Sequence, residues 1–146
     1  MKSLVIYDSI LGNTEKIARS VAAGLGADAR AVRVGAADAH ALADLDLLVV
    51  GSPTLGGRPT PGIQRFLDRV AAAGSHVPAV AAFDTRVTLA FARVFGYAAT
   101  RIAEKLEAEG SSLKCPPEGF IVKGRNGPLA EGEAERAERW GQALRV

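Results

Sequence analysis

Apolar runs of strand length alternate along this chain with segments whose apolar residues recur at helical spacing. Leu4-Val5-Ile6-Tyr7 is continuous, as expected of a central parallel strand buried on both faces. From Thr14 to Leu25, Ile17, Ala18, Val21, Ala22 and Leu25 fall on one helical face, and Gly26 suits its end. Ala31-Val32-Arg33-Val34 reads as a short second strand, and the Ala-rich stretch from Gly35 to Asp44 as one short helix. Leu45 to Val50 is a third strand leading into Gly51-Ser52-Pro53-Thr54. Thr60-Pro61 then opens a helix as N-cap and first helical residue, burying Ile63, Phe66, Leu67 and Val70 and stopping at Gly74. Ala79 to Phe83 forms a fourth strand that ends at a loop, Asp84-Thr85-Arg86, and the helix after it carries Phe95, Ala98, Ala99, Ile102 and Leu106 up to Gly110. Leu113-Lys114-Cys115 and Phe120-Ile121-Val122 make one fifth strand interrupted by Pro116-Pro117, because proline cannot donate to a ladder. A last helix from about Glu131 stacks Ala134, Ala137, Trp140 and Leu144 on one side. Such alternation predicts an α/β fold: a doubly wound, five-stranded parallel sheet with helices on both faces. No linker or repeat divides it, so residues 1–146 are expected to form a single domain.

Composition narrows the chemistry. Hydrophobic residues make up 48% of the 146 positions and charged residues 23%, enough for a core without staples. Cys115 is the only cysteine, which excludes an internal disulfide and a cysteine-built metal site, and it reads as a small apolar residue rather than a reactive thiol. His40 and His76 are isolated, so no metal is expected. No nucleophile–base pair or carboxylate pair is evident, so no catalytic residue is assigned. No apolar run approaches the ~20 residues of a membrane span. No leader-like segment precedes the first strand, and a cytoplasmic location is the expectation. Lys plus Arg number 18 against 16 Asp plus Glu, well spread, which favours a mixed solvated surface over nucleic-acid binding.

In open α/β sheets the ligand lies outside the carboxyl ends of the strands, where the strand order reverses. Three loops at that edge carry ligand chemistry. Ser9-Ile10-Leu11-Gly12-Asn13-Thr14 joins a strand to a helix, whose first amides lack intrahelical partners and whose dipole favours an anion. Ser9 and Thr14 add hydroxyl donors and Asn13 an amide, while Gly12 allows close backbone approach. That turn is read as a phosphate cradle. Ser52-Pro53-Thr54-Leu55-Gly56-Gly57 combines a rigid proline, a hydroxyl and paired glycines that free the backbone to lie against a planar ring. Asp84-Thr85-Arg86 brings a carboxylate, a hydroxyl and a guanidinium to the same crevice.

These motifs resemble those of flavodoxin-like FMN-binding proteins. Tyr7 to Glu15 is similar to the flavodoxin phosphate signature, a Ser/Thr-x-Thr-Gly-Asn-Thr turn, and Gly51 to Gly57 is similar to the second flavin loop. The resemblance, rather than the spacing, supplies the strand order 2-1-3-4-5 and the cofactor FMN. It implies that Ser9, Ile10, Leu11, Gly12, Asn13 and Thr14 hold phosphate, and that Pro53, Thr54, Leu55, Gly56, Asp84, Thr85 and Arg86 flank the isoalloxazine. The chain departs from the pattern at Leu11, where the signature has Thr, and at Leu55, where many flavodoxins place an aromatic ring. It also lacks the usual Asp-x-x-Tyr in the third loop. Phe91 and Tyr97 are the aromatics near that loop, and the apolar segment around them favours core positions for both. A lost aromatic contact is worth ~0.5–1.5 kcal/mol, which weakens a site without abolishing it.

The resemblance implies an electron-transfer protein that cycles flavin redox states with a protein redox partner, as a monomer or weak homo-oligomer. The chemistry would be the flavin's, with the protein supplying binding, orientation and electrostatics. The mildly basic balance argues against docking through a strongly acidic face. Two alternatives share the fold: a small FMN-dependent NAD(P)H:quinone-type reductase, and a module that has lost FMN.

Overall fold

The computed structural model describes residues 1–74, 76–88, 96–124 and 126–145. Strands β1 (Ser3–Tyr7), β2 (Arg30–Arg33), β3 (Leu47–Pro53), β4 (Ala79–Arg86), β5 (Ser112–Leu113) and β6 (Glu118–Ile121) form one parallel sheet in the order β2-β1-β3-β4-β5, with β6 also on β4. The strand order implied by the resemblance is present. The fifth strand is realised as two pieces: β5 pairs with Ala79 and Val80, and β6 with Phe83 to Arg86. Pro116-Pro117 stands between them, where no amide is available for the ladder.

Helices α1 (Asn13–Leu25), α2 (Pro61–Ala73), α3 (Ala98–Ala108) and α4 (Glu133–Ala143) cover both faces. Successive strand residues point to opposite faces, and each face has its own core. Ile6, Leu48, Val50, Val80 and Ala82 meet Ile63, Phe66, Leu67 and Val70 of α2 and Ile102 and Leu106 of α3. Val5, Tyr7, Val49, Ala81 and Phe83 meet Ile17, Val21 and Leu25 of α1 and Ala137 of α4. On this second face Phe83, Phe120 and Trp140 pack edge to face, with centroids 5.9 to 6.1 Å apart. Gly24 lets α4 approach α1, because a Cβ there would overlap the Glu138 carbonyl. No helix among the described residues is long and apolar enough to cross a membrane.

Several boundaries differ from those expected. Leu45 and Asp46 precede β3, where Asp46 accepts the Lys2 amide at 2.7 Å, and β3 runs on through Gly51-Ser52-Pro53. Asp84-Thr85-Arg86 is not a loop: these residues continue β4, paired to Ser52 and Pro53 on one side and to β6 on the other. The apolar signal stops at Phe83, but ladder partners on both sides carry the strand three residues further. The single short helix expected from Gly35 to Asp44 is two separate 3₁₀ turns, Val34–Ala36 and Ala39–Ala41, with Asp38 between them accepting from the His40 amide at 2.9 Å. Helix α4 begins at Glu133, after Gly132 at φ 81°. Phe95, expected on the third helix, and Phe91 lie outside the described residues.

Candidate functional site

The carboxyl ends of β1, β3, β4 and β6 converge on a cleft of about 940 Å³. Its first wall is the turn between β1 and α1. Ser9 Oγ accepts the Gly12 amide at 3.1 Å, and Gly12 sits at φ 93°, a left-handed conformation that closes the turn and aims the start of α1 at the cleft. No side chain caps α1, whose internal ladder begins with the Lys16 amide on the Gly12 carbonyl at 3.1 Å. Helix α2 offers a contrast: Thr60 Oγ1 accepts the Ile63 amide at 3.2 Å and donates to Asp8 Oδ2 at 2.6 Å. That second bond ties the β3–α2 loop to the end of β1. Ser9, Ile10, Leu11, Asn13 and Thr14 line the cleft, while Gly12 acts from behind through its backbone.

The second wall is Pro53, Thr54, Leu55 and Gly56. Leu55 and Arg58 exchange backbone hydrogen bonds of 2.8 and 3.1 Å around Gly56 and Gly57, both at positive φ. This tight turn holds Leu55 outward, 43% exposed. The Thr54 amide donates to the Thr85 carbonyl at 3.0 Å, and Thr54 Oγ1 accepts the Ala98 amide at 3.0 Å.

At the end of β4 the three predicted residues separate by role. Thr85 lines the cleft and shares a 2.7 Å hydroxyl–hydroxyl bond with Thr14, joining the first and third walls. Arg86 also lines it. Asp84 is fully buried beneath: its carboxylate accepts Arg86 Nε at 2.7 Å, Arg86 Nη2 at 2.8 Å and the Ala99 amide at 2.9 Å. The structure therefore places Asp84 behind the cleft, where it holds Arg86 and caps α3. Tyr97 is neither a core residue nor part of the cleft lining: its ring covers the Arg86 guanidinium, 3.6 Å from carbon to centroid. Gly119 on β6 leaves room for that guanidinium, since a Cβ there would overlap it.

A fourth wall was not anticipated. Val87, Thr88, Ile121, Val122, Lys123, Gly124 and Asn126 also line the cleft. The signal was present, because a Gly- and Asn-containing segment follows the last strand at the same edge of the sheet. Counting β5 and β6 as one strand at the far edge hid how closely β6 lies to the switch point.

The cleft lining combines two kinds of chemistry. The uncapped start of α1 presents amides beside Ser9, Asn13 and Thr14, which suits an anionic headgroup. Ile10, Leu11 and Leu55 are 62%, 58% and 43% exposed, three of the four large apolar side chains so exposed among the described residues. A flat apolar body would cover them. The residues present thus fit a phosphorylated, planar ligand.

Solved structures of known proteins share this fold. The structure of a flavodoxin from the domain Archaea superposes with a TM-score of 0.82 at 22% identity, covering 99% of this chain and 96% of its own. Oxidised flavodoxin 1 from Bacillus cereus gives 0.82 at 19% identity, with 99% and 97% covered. Oxidised flavodoxin 2 from the same organism gives 0.78 at 24% identity, with 99% and 97% covered. No curated protein sequence matches the chain. The flavodoxin family model matches residues 5–140, and the chain belongs to the flavodoxin family.

Proposed function

We propose that the chain binds FMN in this cleft and serves as an electron carrier between protein partners, acting as a single domain in the cytoplasm. The observation that carries the reading is the pairing of an uncapped helix start with an exposed apolar rim in one cleft. When bound, FMN supplies the electron storage and transfer. The chain's own residues do the rest. The leading amides of α1, with Ser9, Asn13 and Thr14, hold the phosphate. Pro53 to Gly56 and Thr85 border the ring, and the exposed Ile10, Leu11 and Leu55 shield it from water by desolvation.

Arg86 and Lys123 are the charged residues that line the cleft, both positive. The Arg86 side chain is 20% exposed, while its partner, the Asp84 carboxylate, is fully buried. Positive charge beside the ligand favours the anionic, fully reduced flavin. A potential less negative than that of an acidic flavodoxin is expected, to be read by redox titration of the holoprotein. Cofactor binding itself is tested by purifying the protein with excess FMN. Flavin absorbance near one equivalent is expected, and a colourless protein that releases no heat on FMN addition contradicts the reading.

One observation favours a second reading. No aromatic side chain among the described residues lines the cleft, so its rim is open to a hydride donor. Direct oxidation of NADPH by the holoprotein, with no added reductase, would assign it to the FMN-dependent reductases instead.

A further inference from the structure

A second groove of about 880 Å³ runs beside the cleft, between the end of β2 and the start of α2. Ile10 and Leu55 border both cavities and form the exposed ridge between them. Val34, Ala37 and Pro61 give the groove apolar surface, and its charged lining is three arginines against one aspartate. Arg33 is held by Glu15 at 3.0 Å, with Asp8 at 3.8 Å. Arg65 and Arg69 stand one turn apart on the exposed side of α2, with no carboxylate partner among the described residues. The acid nearest them in sequence, Asp68, pairs instead with Lys105 at 2.9 Å.

We infer that this groove and its ridge are the docking face for an acidic redox protein, one that presents carboxylates around its own redox centre. The inference rests on the electron-carrier reading and adds the chemistry of the partner. Arg65 and Arg69 supply positive charge, paired with no carboxylate among the described residues, that would steer such a face, while Ile10 and Leu55 supply the apolar centre that excludes water from a contact. Because the same ridge borders the cleft, a partner seated in the groove lies against the mouth of the cofactor site. A carrier with a cationic docking face is also consistent with the chain's excess of Lys and Arg, 18 against 16 Asp and Glu.

The test uses an acidic [2Fe–2S] ferredoxin as probe. Reduced ferredoxin is mixed in a stopped-flow instrument with the oxidised holoprotein, and one electron leaves the cluster and enters the flavin. The second-order rate constant is expected to fall by about tenfold or more between about 20 mM and about 500 mM ionic strength. The charge reversal R65E/R69E should lower the low-salt rate by about tenfold or more and flatten the salt dependence, with R65Q/R69Q intermediate. FMN affinity and photoreduction by a free deazaflavin should be unchanged, since neither arginine touches the cofactor cleft. A flavin-loaded protein whose rate ignores salt or R65E/R69E overturns the docking inference while leaving the cofactor reading intact. A preparation that binds no flavin overturns both. Dimerisation of the holoprotein that R65E/R69E abolishes would give the groove to a second copy, and saturable pyrophosphate binding lost in that variant would give it to a small anion. Either outcome overturns the inference.

Discussion

Arg86 is held from three directions at once: the buried Asp84 carboxylate below, the Tyr97 ring above, and the Cβ-free Gly119 beside it. Such restraint makes its charge a fixed feature of the cleft rather than a mobile surface cation. Arg86→Ala is expected to make the potential of the fully reduced flavin more negative by a few tens of millivolts, against ~59 mV for each tenfold change in a one-electron equilibrium. Arg86→Lys should keep most of that effect, and redox titrations of the two variants check both statements. Arg86→Ala should also destabilise the fold by about 3–5 kcal/mol in urea unfolding, because it strips a fully buried carboxylate of its cation. Gly12 is constrained differently. At φ 93° it occupies a conformation that costs an L-residue ~1–2 kcal/mol, so Gly12→Ala should lose about that much stability and weaken FMN binding through the misplaced turn. Paired melts and FMN titrations read the two losses.

Between elements, the joint of β6 and α4 is secured by Glu133. Its carboxylate accepts the Ile121 amide at 2.7 Å and Arg136 through bonds of 2.8 Å, while Arg136 also reaches Glu118 at 2.8 Å and the Gly119 carbonyl at 2.6 Å. The Arg136 hydrogen bonds, aided by the Ile121 amide, hold the Glu133 carboxyl below its ordinary value of 4.5 against the opposing effect of burial. A carboxyl depressed in the folded state contributes stability that is complete above 4.5 and is lost as pH falls through the folded-state value. Urea midpoints should therefore drop in that acid window, and Glu133→Gln should show a shallower drop together with a loss of about 1–3 kcal/mol near neutrality. Elements were legible in the sequence wherever a single strong period ran unopposed. Thr60-Pro61 marked the start of α2, and its apolar face is buried as expected. Legibility failed where tertiary partners decide. Asp84, Thr85 and Arg86 look like a polar loop until β6 is known to lie alongside. Likewise the Ala-rich segment after β2 carries helix propensity, but Asp38 breaks it into two turns by binding the His40 amide.

At the scale of the whole molecule, two cores on opposite faces of one sheet fix the relative positions of all the strand ends, and the cleft follows from that arrangement. The strand order came from the family resemblance, because neither spacing nor periodicity encodes which crossover goes left or right along the sheet. Most of the cleft lining was legible on the loops after β1 and β3 and at the end of β4. The wall after β6 was not, since its nearness depends on β6 pairing with the end of β4. A ligand that binds only the folded chain stabilises it by ~2.7 kcal/mol at a hundredfold excess over Kd. At roughly 2–4 °C per kcal/mol for a chain near this size, excess FMN should raise Tm by roughly 5–10 °C in a thermal scan. The central claim, however, is that the start of α1 grips a phosphate. It is met most directly by calorimetric titration of the apoprotein with FMN and, separately, with riboflavin, which has the same ring and no phosphate. One equivalent of FMN binding with riboflavin weaker by about tenfold or more is the predicted result. Equal affinity for the two, or no saturable heat from FMN, would contradict it.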